Sequence, residues 1–332
     1  MTSIPILGWY NQQNVGDEAF KDIFRAALRD ADPSATVSFH TPFNALKSPL
    51  PHKVILGGGD VIRPFYLEKI PREVKIFPLG VGLGYESEIE LLERANVPFA
   101  LFRNLDDVEL AHSKQIDAEY CPDLTFFINE AQPVPLALAD SCKALGVFLS
   151  DEISPTSERK ESKDYLYYEY FKWELASILD LLSEFYNICF VAFSTTESIN
   201  DHKVNLDIFR RMSARDRVSF FTQPLSMTQA LGVVSHFDLV ISMKFHGIMF
   251  AVNQGVPFIN IAETRKTQRF CLENNLAQLS IPRYSLEKER FLGVVKIAET
   301  EETRQSVKAT SARLRELTRQ RLPEAISRFL AA

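Results

Sequence analysis

Residues 238–262 read DLVISMKFHGIMFAVNQGVPFINIA, and the order of apolar runs and breaks in this stretch sets the fold class. Leu239, Val240 and Ile241 make a short apolar run of the kind that fills a buried parallel strand. Gly255-Val256-Pro257 breaks the chain before a second run from Phe258 to Ile261, and the interval holds one short helix. In such a strand, helix, strand unit the loop at the carboxyl end of the first strand opens into the ligand crevice, and the N–H groups at the start of the helix attract anions. Ser242, Lys244, His246 and Gly247 occupy that loop. A cation and an imidazole there suit an anionic substrate that exchanges a proton. The same side chains also have a plain structural reading, as a solvated charge and a hydrogen-bonded histidine; their place at a strand's carboxyl end is what favours a site.

The pattern repeats from the N-terminus. Ile4–Leu7 reads as a strand, Gly8-Trp9-Tyr10-Asn11 leaves it, and the loop closes on Asn14-Val15-Gly16-Asp17. Phe20, Ile23, Phe24, Ala27 and Leu28 fall at helical spacing behind it, with Asp17 and Glu18 in the first turn, where carboxylates complement the helix dipole. Strands are expected at Thr36–Phe39 and Val54–Leu56, the second entering a turn at Gly57-Gly58-Gly59-Asp60. Glycines there permit close approach of a ligand, or simply a sharp strand-to-helix turn. The lysine and Ser/Thr of a nucleotide-binding P-loop are missing, and so is the dinucleotide spacing. Lys75–Leu79 is a further strand before a second glycine-rich loop, residues 80–85. A helix at 86–95 precedes the strand Phe99–Phe102, which ends at Arg103. A guanidinium at that edge suits phosphate or carboxylate, the alternative being a surface arginine.

Asn129–Pro135, with two closely spaced prolines, is the expected linker. It divides the chain into domains 1–135 and 136–332. Strands follow at Leu145–Leu149, Ile188–Phe193 and Val218–Phe221, with a polar loop at Asp151–Lys163 near the crevice mouth. A long helix over Asp164–Phe185 carries Tyr167, Tyr168, Tyr170, Phe171 and Trp173, read as packing rather than a sugar platform. From Thr264 onward the chain reads as largely helical, and Glu299–Leu322 as a solvated terminal helix. Strands that each end in a glycine or polar loop and then a helix describe α/β architecture with parallel sheets.

Composition narrows the function classes. The 332 residues, 46% hydrophobic and 24% charged, belong to a globular protein with room for two cores. A net charge of -6 argues against an extended nucleic-acid surface. Cys121, Cys142, Cys189 and Cys271 are widely separated and form no C-x-x-C pair, which points to neither zinc nor a disulfide framework and fits a reducing cytoplasm. No metal or cofactor is expected. The N-terminus lacks a signal-peptide pattern, and no apolar run is long enough to span a membrane.

SMKFHG, a helix, GVPFINI and then Lys266 resemble the C-terminal signature of the polysaccharide pyruvyl transferase family, S-x-R-x-H-G, an apolar helix, G-V-P and a downstream lysine. GWYNQQNVGDEAF resembles that family's opening motif, and GGGD its early glycine-rich turn. Lys244 stands in place of the family's arginine, Asn104 in place of an aspartate after Arg103, and Asp123 matches a reordered aspartate-proline stretch. The resemblance implies two Rossmann-like domains facing across a cleft, as in GT-B enzymes. It also implies transfer of pyruvate from phosphoenolpyruvate, a co-substrate, to two hydroxyls of a sugar. The acceptor is a sugar or polysaccharide, free or lipid-linked. The implied roles are donor binding for Lys244, Arg103, Lys266, Ser242 and Gly247, proton transfer for His246, and acceptor activation for Asp17. Asn14, Gly16, Gly58, Gly59 and Asp60 form the acceptor-side loops. An arginine at position 244 is expected to restore the family's planar fork and hold the donor at least as well. Competing readings are a GT-B glycosyltransferase using a nucleotide sugar and a catalytically silent sugar-binding relative.

Overall fold

The computed structural model describes residues 3–41, 51–68, 70–136, 138, 142–150, 162–197, 199–262 and 264–332. The polar loop expected at Asp151–Lys163 lies outside them up to residue 161. The chain forms two compact units, Met1–Ile128 with Arg313–Ala332, and Asn129–Ala312.

The first unit runs β1 (Ser3–Leu7), α1 (Val15–Ala31), β2 (Thr36–His40), β3 (Lys53–Gly59), α2 (Pro64–Leu67), β4 (Lys75–Val81), α3 (Ile89–Glu93), β5 (Ala100–Phe102), α4 (Leu105–Ser113) and β6 (Ala118–Tyr120). Its six strands lie in the order β2-β1-β3-β4-β5-β6, and every pairing is parallel. Phe20, Ile23, Phe24, Ala27 and Leu28 are buried, so the face read from their spacing is the face that packs. The glycines 57–59 are the end of β3 and not a turn after it, because α1 comes down on the strand itself. A Cβ on Gly57 would stand 2.5 Å from the Phe24 ring, and one on Gly58 2.3 Å from the Phe20 ring. Two phenylalanines buried this fully contribute about 1.5–3 kcal/mol each.

The second unit runs β7 (Lys143–Phe148), α5 (Ser162–Leu182), β8 (Tyr186–Val191), α6 (Asp201–Arg211), β9 (Val218–Phe221), α7 (Met227–Val234), β10 (Leu239–Ser242), α8 (Phe245–Asn253), β11 (Phe258–Ala262), α9 (Arg265–Glu273), β12 (Ser280–Pro282) and α10 (Lys288–Ala298). Its strand order is β12-β11-β10-β7-β8-β9, again all parallel. The helical reading from Thr264 onward missed β12, three residues that pair with Asn260–Ala262. The proline-flanked 129–135 stretch is docked on the second unit rather than hanging between units. The Gln132 N–H donates to the Thr228 carbonyl at 2.9 Å, and Gly232 has no Cβ because Gln132 passes there.

The last helix, α11 (Glu301–Ala331), begins in the second unit, and from Arg313 onward it belongs to the first. The expected boundary at 135 and the assignment of 313–332 to the second domain therefore differ from the compact units. Nor is α11 a solvated helix. Val307, Thr310, Ser311, Leu314, Thr318, Leu322, Ala325, Ile326 and Phe329 are buried along one stripe. Threonines and a serine interrupt its apolar character; Thr318 Oγ1 donates within the helix to the Leu314 carbonyl at 2.8 Å, and Ser311 Oγ donates to the Asn253 carbonyl at 2.9 Å. The Lys53 ammonium caps the helix end, donating to the carbonyls of Phe329 and Leu330 at 2.7 and 2.9 Å.

Candidate functional site

In each sheet the strand order reverses once, between β1 and β3 in the first and between β7 and β10 in the second. Open α/β sheets bind ligands at the carboxyl ends of the strands that flank such a reversal. The residues singled out in the sequence cluster at these two edges, one set in each unit.

At the first edge Asn14 caps α1, its side chain accepting the Gly16 N–H at 3.1 Å. That fixes the first turn and places Asp17 over the end of β3, where a Cβ on Gly59 would stand 3.4 Å from Asp17 Oδ1. Gly59 has φ +80°, a conformation that favours glycine, so backbone and carboxylate meet without a side chain between them. For Arg103 the sequence leaves two readings, a guanidinium that binds phosphate or carboxylate and a surface arginine. It is instead a buried strut, its side chain only 2% exposed, ion-paired to Asp60 and, at 3.5 Å, to Asp123. A Cβ on Gly82 would stand 2.8 Å from Arg103 Nε, which accounts for the glycine of the second glycine-rich loop. Burial pulls the Arg103 pKa down, and the carboxylates of Asp60, Asp123, Asp107 and Asp17 outweigh it and leave it raised. Asp107 in turn receives the Asn104 amide at 2.5 Å and the Leu83 N–H at 3.0 Å. Among the described residues, the Arg103 cation is set against four carboxylates, those of Asp60, Asp123, Asp107 and Asp17. Two buried tyrosines stand behind this edge. Tyr10 donates to the Gly57 carbonyl at 2.8 Å, whereas the Tyr66 hydroxyl has no hydrogen-bond partner among the described residues.

At the second edge Ser242 ends β10 and holds the loop. Its hydroxyl accepts the Lys244 N–H at 3.0 Å and donates to the Lys244 carbonyl at 2.8 Å. A Cβ on Gly247 would fall 2.4 Å from Ser242 Oγ, so the glycine lets α8 start this close to the strand. Ser242 and Gly247 thus shape the loop. Lys244 is the residue before α8, and His246 lies in the helix's first turn. The Phe245 ring sits between the candidate groups, 5.3 Å from the His246 ring and 5.6 Å from the Lys266 ammonium. The Lys244 ammonium pairs with Asp201 at 2.9 Å and donates to Ser194 Oγ at 3.2 Å.

Asp201 and Ser194 escaped the sequence reading as site residues, because an acid opening a helix after Asn200 looks like an ordinary first-turn carboxylate. Arg283 was also missed. It follows β12 on this edge, is buried, and stacks 4.7 Å from the Tyr168 ring and 4.4 Å from the Tyr284 ring, with Nη1 donating to Tyr168 Oη at 2.8 Å. Tyr167 donates to the Arg283 carbonyl at 2.8 Å. Tyr167 and Tyr168 therefore pack α5 onto the β12 end, while Tyr170 and Trp173 remain exposed.

Three of the cysteines, Cys121, Cys189 and Cys271, are buried, and burial pushes the Cys271 thiol up to about 12. Among the described residues no group of three or more His, Cys, Asp or Glu is placed to hold a metal ion, and no helix is long and apolar enough to cross a membrane.

The fold is shared with solved sugar-nucleotide enzymes. The UDP-GlcNAc 2-epimerase of Neisseria meningitidis, bound to UDP-GlcNAc, is 10% identical, with 100% of each chain covered and a TM-score of 0.63. S. aureus MnaA with UDP is 10% identical over 99% of this chain and 95% of that one, TM-score 0.63. A ugt transferase from Siraitia grosvenorii in complex with UDP is 11% identical over 99% of each chain, TM-score 0.54. The architecture is thus GT-B, two units built on parallel sheets. No curated protein matches the sequence. The family model for polysaccharide pyruvyl transferase matches residues 14–265, from the α1 cap through the SMKFHG loop and ending one residue before Lys266. With the α1 cap and the SMKFHG loop both inside that match, the chain belongs to the polysaccharide pyruvyl transferase family.

Proposed function

We propose that the protein transfers the pyruvyl group of phosphoenolpyruvate to two hydroxyls of a sugar in a glycan, forming a cyclic ketal and releasing phosphate. The observation that carries this reading is the SMKFHG loop at the strand-order reversal of the second sheet, inside the family match. Lys244 and Lys266 supply positive charge for the phosphate and carboxylate of the donor, and the first turn of α8 adds its N–H groups. His246 moves the proton. One sugar hydroxyl adds to C2 of the enolpyruvyl group while C3 takes a proton and becomes the methyl. The second hydroxyl then displaces phosphate from C2, and its proton leaves with the phosphate. Asp17, at the carboxylate-rich edge of the first sheet, receives a hydroxyl proton from the acceptor. Arg103 acts there through Asp60 and Asp123, holding the acidic loops in place, rather than on the donor.

A nucleotide-sugar donor is the competing reading, because structural neighbours hold UDP or UDP-GlcNAc. Those neighbours share 10–11% identity, which carries fold alone. The two readings separate in one assay. Purified protein is titrated with phosphoenolpyruvate and with UDP-GlcNAc, then incubated with each and a panel of methyl glycosides. Phosphoenolpyruvate-dependent phosphate release with a mass gain on the glycoside is the expected result. Binding and turnover of UDP-GlcNAc alone would replace the pyruvyl reading with glycosyl transfer.

A further inference from the structure

The Lys244 ammonium has three N–H donors. One meets Asp201 Oδ1 at 2.9 Å and another meets Ser194 Oγ at 3.2 Å. The second carboxylate oxygen of Asp201 is already covered. It accepts the backbone N–H of Ser194 at 2.7 Å and that of Phe193 at 3.1 Å, and Asp201 itself has no exposed surface. The Lys244 side chain, by contrast, is 15% exposed. Asp201 therefore offers a cation one oxygen, not two. A guanidinium meets a carboxylate best through two parallel N–H groups on both oxygens, and the main chain after β8 closes that arrangement here. A compact ammonium fits one carboxylate oxygen and one hydroxyl with a donor left over.

We infer that Asp201 and Ser194 are positioning residues that make position 244 a lysine site, and that they leave one ammonium N–H on its open side for a single oxygen of the anionic donor. This rests on the reading of phosphoenolpyruvate as donor. It reverses the expectation drawn from the family resemblance that arginine at 244 would hold the donor at least as well. The neutralising carboxylate also makes Lys244 a weaker anion binder than a lone lysine, so orientation of the donor, more than bulk attraction, is what it supplies.

The parent protein, Lys244→Arg, Ser194→Ala and Ser194→Thr are compared by calorimetric titration with phosphoenolpyruvate and with inorganic phosphate, by melting temperature, and by steady-state turnover. Lys244→Arg is expected to bind both ligands at least about tenfold more weakly than the parent, equivalent to about 1.4 kcal/mol. Ser194→Ala, a small change that leaves the ion pair in place, is expected to raise the KM for phosphoenolpyruvate severalfold with a much smaller effect on kcat. Ser194→Thr keeps the hydroxyl and is expected to return KM towards the parent value. Lys244→Arg with parental or tighter affinity overturns the inference, as does Ser194→Ala with an unchanged KM. Should the parent bind phosphate but not phosphoenolpyruvate, the donor reading fails while the phosphate series still ranks lysine against arginine. A parent that binds neither overturns both.

Discussion

At the carboxyl edge of the first sheet one guanidinium, Arg103, is shared among carboxylates, whereas at the same edge of the second sheet one carboxylate, Asp201, is held by an ammonium and two backbone N–H groups. Both edges arise from the same topology, a strand-order reversal in a six-stranded parallel sheet. What differs is which groups each edge presents. The first keeps negative charge and proton acceptors, the chemistry a sugar hydroxyl needs to become a nucleophile. The second presents Lys266 and an Asp201-paired Lys244 near an imidazole, groups that under the proposed function orient an anionic donor. Under the proposed function, topology sets where the ligands bind and the groups at each edge set which kind, so one architecture would serve two substrates.

The largest test of that contrast comes from mutating one proton-transfer group at each edge. His246→Ala is expected to lower kcat by about 10²–10⁴-fold, and because the half-buried ring packs against Phe245 and Phe250 the melting temperature is measured alongside, an intact fold being expected. Asp17→Asn is expected to fail differently, lowering kcat/KM for the glycoside while phosphoenolpyruvate affinity stays near parental. Collapse of donor affinity in Asp17→Asn, with the acceptor unaffected, would break the assignment of substrates to edges.

The next effect is on stability. Arg103→Leu removes a buried cation and leaves Asp123, itself buried, beside Asp60 without it. Uncompensated buried charge costs about 3–5 kcal/mol, so urea unfolding is expected to move to markedly lower midpoint. Asp60→Asn should cost far less, because the Asp60 side chain is 27% exposed and water replaces what the guanidinium loses. Equal losses in the two variants would mean that the pair, not the buried cation, is what the edge depends on.

These contrasts show why some of the molecule is readable from sequence and some is not. The SMKFHG loop was legible because every signal there is local: an apolar run, a polar loop, a helix and a Gly-Val-Pro break within 25 residues, Asp238–Ala262. Arg103 misled because its partners are non-local, Asp60 lying 43 positions before it and Asp123 20 after. The glycines at 57 and 58 misled for a related reason. They look like a turn, but the residues that demand them are phenylalanines on a different element. Strands β6 and β12 have three residues each and, unlike the equally short β5, no apolar run, reading Ala-Glu-Tyr and Ser-Ile-Pro. In α11 the buried stripe was hidden by threonines and a serine among its apolar positions, whose hydroxyls can bond to backbone carbonyls, as Thr318 does to Leu314 and Ser311 does to Asn253, the last residue of α8, at 2.9 Å.

The smallest expected effect separates two residues of the first unit that are alike in type and burial. Tyr10 is 0% and Tyr66 2% exposed, but only Tyr10 has a hydrogen-bond partner for its hydroxyl among the described residues. A satisfied buried hydrogen bond contributes about 1 kcal/mol, and a buried polar group left without one costs about 1–3 kcal/mol. Tyr10→Phe should therefore destabilise the protein by about 1 kcal/mol, while Tyr66→Phe should leave stability unchanged or raise it by about that much. The sign at high pH is the same for both. Burial, reinforced by the charge of Asp17, holds each phenol above the ordinary tyrosine value of about 10 in the folded protein. Above that pH the unfolded chain releases protons that the folded chain keeps, so each tyrosine draws the equilibrium towards unfolding, and phenylalanine removes the draw. Relative to the parent, then, Tyr66→Phe should gain further stability as pH rises past 10, and the deficit of Tyr10→Phe should shrink. Urea unfolding of the three proteins at pH 7 and pH 10.5 measures both differences. A Tyr66→Phe variant less stable than the parent at pH 7 would show that the hydroxyl finds a partner in solution, a bound water being the simplest, and that the two tyrosines are equivalent after all.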